Sequence, residues 1–67
     1  MNAKQIQQFR RRHYGSQAAL AKAVGVSQAA VSQWESGARR PGGAAMQMLI
    51  ALRAAKNGEV HIARTGK

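Results

Sequence analysis

Residues 17–36, QAALAKAVGVSQAAVSQWES, constrain this chain more than any other segment. Apolar residues fall at Leu20, Val24, Val26, Val31 and Trp34. Those positions share an inner face only if two short helices cross and the link between them is tight. Ala21 is small where the second helix passes closest to the first. Gly25 stands at the turn, where a left-handed backbone is free of Cβ strain only for glycine. Ser27 follows where the second helix must begin, and serine is a favoured N-cap.

The flanking sequence extends this frame. Ala3 to His13 predicts a first helix with Ile6 and Phe9 on one face and Arg10, Arg11, Arg12 and His13 at its end, where cations suit the helix dipole. Tyr14-Gly15 breaks it, and Ser16 caps a helix over Gln17 to Val24. A third helix runs from about Gln28 to Glu35 and stops at Ser36-Gly37. Pro41 forbids continuation through Ala38-Arg39-Arg40-Pro41-Gly42-Gly43, a basic loop. A fourth helix spans about Ala44 to Lys56, closed by Asn57-Gly58.

That last helix is alanine-rich and carries two stripes. Ala45, Met48, Leu49, Leu52 and Ala55 make one, which closes the core. Met46 and Ile50, with Arg53 at the edge, make the other, which has no evident partner within the chain. It is either a dimer surface or a face that a small bundle buries anyway. In the tail, 57–67, Val60 and Ile62 alternate as a weak strand signal, so the end is either a short extended segment or a flexible one. The fold expected is all-α: a compact bundle of four to five helices in one domain, 1–67, with a short C-terminal strand as an option.

Charge decides the class of partner. Eleven Lys and Arg face two acids, Glu35 and Glu59, for a net +9. A chain so basic seeks a polyanion, most often nucleic acid. The 67 residues hold no cysteine, so neither a disulfide nor a thiolate metal site supports the small core. His13 and His61 are single and distant, and no carboxylate pair is present. An enzyme, a metal and a cofactor are therefore not expected. Met1 leads into a polar start and no apolar run approaches ~20 residues, so the expectation is a cytoplasmic protein without leader or membrane span.

The crossing pair is a helix-turn-helix pattern, in which the second helix enters the DNA major groove. Its N-terminal residues then face base edges. Gln28 is the leading candidate, because a Gln amide pairs bidentately with adenine N6 and N7. The Ala29 methyl suits a thymine methyl, and Ser32 and Gln33 lie one turn on. Gln17 and the free N–H groups of its helix end suit a phosphate. Ser16 and Ser27 serve as caps, with backbone contact as a second role. Arg39 and Arg40 follow the reading helix, where a loop meets the DNA backbone, and Arg10, Arg11, Arg12 and Lys22 extend the basic face. Trp34 has the spacing of a core residue rather than of a base-stacking platform.

SQAALAKAVGVSQAAVSQWESGARRP resembles the Cro/repressor family of phage and bacterial helix-turn-helix regulators, the xenobiotic-response-element type. The likeness covers about Ile6 to Leu52. It rests on Gln17, Ala21, Gly25, Ser27-Gln28, Trp34, Glu35, Gly37 and Arg40-Pro41. It implies a lambda-repressor-like bundle that binds operator DNA as a homodimer, with Gln17 on a phosphate and Glu35 paired with an Arg of the first helix, here Arg10. The chain departs from the pattern after Pro41, with one longer helix and a tail in place of two further helices. Dimer geometry and half-site spacing stay open. GGAAMQMLIALRAA also resembles DNA-binding proteins of toxin–antitoxin operons.

The function expected is a sequence-specific double-stranded DNA-binding transcriptional regulator, a Cro-like repressor of a two-fold symmetric operator. An antitoxin-type autoregulator that also binds a toxin protein is the nearest rival. A non-specific nucleic-acid binder comes next. A membrane-active peptide would need one long amphipathic helix, which the Gly and Pro breaks oppose.

Overall fold

The computed structural model describes residues 1–57, and these form four α-helices. They are α1 (Ala3–His13), α2 (Gln17–Val24), α3 (Gln28–Ser36) and α4 (Gly43–Lys56). The described residues are all-α, as the periodicity predicts. The strand and tail readings of 58–67 lie outside them.

Each helix start follows from its sequence. Ser16 Oγ accepts from the Ala19 N–H at 3.0 Å, and Ser27 Oγ accepts from the Ala30 N–H at 3.1 Å. Both serve first-turn donors left over at a helix start, and the Ala30 N–H is shared with the Ser27 carbonyl at 3.1 Å. At α1, Asn2 Oδ1 accepts from Gln5 N–H at 2.8 Å while Gln5 Oε1 accepts from Asn2 N–H at 2.9 Å. This reciprocal box is written in the sequence as Asn followed by Gln three residues later. α4 lacks a side-chain cap: Gly42 precedes it in extended geometry, and the helix begins one residue before the expected Ala44.

The turn of the crossing pair depends on Gly25. Its φ is 89°, a left-handed conformation that strains any residue with a Cβ. In that shape the N–H groups of Gly25 and Val26 both reach the Ala21 carbonyl, at 2.8 and 2.9 Å. The chain thus leaves α2 and enters α3 within a few residues.

The core is Ile6, Phe9, Leu20, Ala21, Val31, Trp34 and Leu49. α2 packs chiefly on α3, α1 also packs on α3, and α4 reaches α2. Ala21 at 3% exposure is the small contact that lets α2 and α3 approach. Val24 and Val26 are half-buried against the core rather than inside it.

α4 departs from the expected stripes. Leu49 is fully buried, with Ala45 and Leu52 packed beside it. Met48 and Ala55, expected to face inward, are exposed. The buried stripe is narrower: Leu49 alone is fully enclosed, while Ala45 and Leu52 are half-buried. Met46, on the stripe read as either a dimer surface or a face the bundle buries, is half-buried, and its Sδ accepts from the Met1 ammonium at 3.4 Å. Ile50 remains 44% exposed.

Candidate nucleic-acid interface

The site is built from the ends of α2 and α3. Val31 and Trp34 bury one side of α3, which turns Gln28, Ala29, Ser32 and Gln33 to the exposed side. These four sit at helical spacing over two turns, so they form one polar strip without a charge. Ser16 and Ser27 are exposed at the two helix starts, their oxygens already accepting from the backbone. Each hydroxyl hydrogen remains free to donate. Arg39 and Arg40 are exposed just past α3, and the Arg39 N–H is tied to the Gln33 carbonyl at 3.2 Å. The loop is thus anchored to the helix it follows.

Beneath this surface lies the centre that sets its geometry. Arg10 of α1 donates from Nε to Glu35 Oε2 at 2.6 Å and from Nη2 to Glu35 Oε1 at 3.1 Å. This is the bidentate arrangement in which guanidinium and carboxylate match best. Arg10 Nη1 donates to the Gly15 carbonyl at 2.7 Å. Gln17 Nε2 of α2 donates to Glu35 Oε1 at 3.2 Å. One carboxylate therefore joins α1, α2 and α3. Burial raises the proton affinity of Glu35, but hydrogen bonds from Arg10 and Gln17 and the charges of Arg10 and Arg11 outweigh it. The net pKa lies below the ordinary carboxylate value. The Glu35 hydrogen bond correspondingly raises Arg10, against a smaller effect of burial.

This centre changes two sequence expectations. Arg10 does not extend the basic face, because its charge is matched by Glu35. Gln17 has one amide hydrogen held by Glu35, which fixes its side chain and leaves the second hydrogen for another acceptor. The pairing of Arg10 with Glu35 forms as the resemblance implies. The Gln17 link is new, and only its position opening α2 beside the end of α3 hinted at it.

Among the described residues no three His, Asp, Glu or Cys side chains could hold a metal ion. No described helix is long and apolar enough to cross a membrane.

A family model described as Helix-turn-helix matches residues 6–52, most of the chain. The chain belongs to the Cro/C1-type helix-turn-helix family. It is therefore a DNA-binding transcription regulator in the general sense of that family, which is not an enzyme family. No curated protein and no solved structure matches it. The matched span begins at the first core residue of α1 and ends at Leu52, in α4, so it contains the whole α2–α3 unit and its Arg10–Glu35–Gln17 brace.

Proposed function

We propose that this protein is a sequence-specific repressor that occupies a two-fold symmetric operator as a homodimer. The observation that carries this reading is the uncharged strip Gln28, Ala29, Ser32 and Gln33, held on a helix whose back is core and flanked by cationic or donor groups. In this account α3 lies in the major groove. Gln28 pairs with an adenine, Ala29 meets a thymine methyl, and Ser32 and Gln33 reach neighbouring edges. Gln17, Ser16 and Ser27, with the helix-start N–H groups, hold phosphates on one side, and Arg39 and Arg40 hold them on the other. Repression needs no further domain, because an occupied operator blocks polymerase.

α4 supports the dimer. Its exposed side is apolar along Ala44, Met48, Ala51 and Ala55, and Ile50 adds a second exposed apolar residue. A second copy on this face would make the homodimer, and half-sites one helical turn of DNA apart lie about 34 Å from each other. The same face suits the antitoxin reading, in which a toxin takes the place of the second copy.

Selection of bound duplexes from a random pool, with the mass of the complex measured, tests the proposal. It predicts a two-fold symmetric consensus bound by two chains. Failure to enrich any sequence would mark a non-specific nucleic-acid binder. A single chain on an asymmetric site would remove the homodimer and favour a different partner for α4.

A further inference from the structure

A groove of about 550 Å³ lies between the start of α1 and the loop joining α3 to α4. Its floor is apolar at the half-buried Met1, Ala3, Pro41 and Met46, with the buried Ile6 and Trp34 beneath them. Its rim is cationic, made by Arg39, Arg40 and the Met1 ammonium. Among the described residues these cations have no carboxylate partner, because Glu35 is held by Arg10 and Gln17. Small-molecule sites run from roughly 300 to 1,000 Å³ and combine an apolar lining with a few convergent polar groups.

We propose that this groove binds an amphipathic carboxylate. The apolar chain lies over Met1, Pro41 and Met46, just above Trp34, and the head group is held by Arg39 and Arg40. A bare phosphate would satisfy the rim but leave the apolar floor to water. A neutral apolar molecule would satisfy the floor and leave the arginines unmatched. A second copy of this net +9 chain brings almost no acid to meet them. Only an anion with an apolar body fits both parts. A regulatory consequence rests on the reading of Arg39 and Arg40 as DNA-backbone contacts. The ligand occupies the same guanidinium groups and so weakens DNA binding, which makes it an inducer.

The chain carries one tryptophan, Trp34, so the groove has its own reporter. Decanoate titrated into the full-length protein should change Trp34 emission saturably, with helix content unchanged by circular dichroism. Decanol and decylammonium should not reproduce the change. The double variant R39A/R40A should keep its helix content and lose about tenfold or more in decanoate affinity. An unsaturable change, an equal response to decanol or decylammonium, or undiminished affinity in the variant would overturn the site. This arm contains no DNA, so it stands whether or not the operator reading does. In a second arm, decanoate should weaken duplex binding by the wild-type protein. Saturable decanoate binding with undiminished DNA affinity would overturn the inducer role.

Discussion

Arg10 Nε lies 2.6 Å from Glu35 Oε2, and this contact ties α1 to the last turn of α3. The two side chains are only 11% and 5% exposed. With the Gln17 amide on the same carboxylate, the pair fixes the start of α2 against the end of α3. One acid therefore sets how the start of α2 meets the end of α3.

Glu35→Gln should lower folding stability by about 2 kcal/mol at neutral pH, because Arg10 then lacks its charge partner. Urea unfolding of the two proteins checks this, and equal midpoints would show that the pair is energetically idle. The wild-type protein should also be sensitive to acid. The folded Glu35 pKa lies below its unfolded value, so its contribution is complete above the unfolded carboxylate range and is lost as pH falls through the folded pKa. The chain has only one other acidic side chain, Glu59, so the difference between wild type and Glu35→Gln across that range isolates this group.

Two glycine substitutions should differ in sign. Gly25→Ala places a Cβ at φ 89° and should cost about 1 kcal/mol although nothing crowds the site. Gly42→Ser should instead stabilise by a few tenths of a kcal/mol, since its extended backbone accepts serine and α4 lacks a side-chain cap. Thermal unfolding of both variants decides the matter.

The α1, α2 and α3 boundaries were legible in the sequence because caps and breakers mark them: Ser16, Ser27 and Gly25 each have a local physical role. The exposure of Gln28, Ala29, Ser32 and Gln33 followed from the burial of Val31 and Trp34. α4 was harder to read. In an alanine-rich helix both sides look apolar, so periodicity assigned Met48 and Ala55 inward and left Met46 open between a dimer surface and a buried face. The structure exposes the first two and covers Met46 with the chain's own start. The Gln17–Glu35 link spans 18 residues and arises only when two helix ends meet.

Leu49→Ala and Ile50→Ser test this division of α4. The first removes a fully buried side chain and should cost about 2–5 kcal/mol. The second alters a residue 44% exposed and should leave single-chain stability within about 0.5 kcal/mol. Ile50→Ser should instead lower the fraction of DNA bound by two chains, read from the mass of the complex.

Arg39→Ala should weaken binding to every duplex by a similar factor. The slope of log affinity against log salt should fall by about 1, as expected when one phosphate contact is lost. Titrations at several salt concentrations, on selected and scrambled duplexes, provide the check. A loss confined to one sequence would instead place Arg39 on a base.

The central claim, that the exposed strip of α3 reads DNA sequence, is tested most directly by selecting duplexes with wild type and Gln28→Ala side by side. The account predicts a symmetric consensus for wild type. It predicts that Gln28→Ala relaxes preference at one base pair in each half-site, with about 1–3 kcal/mol of discrimination lost there. An unchanged consensus for Gln28→Ala, or none for wild type, would contradict it.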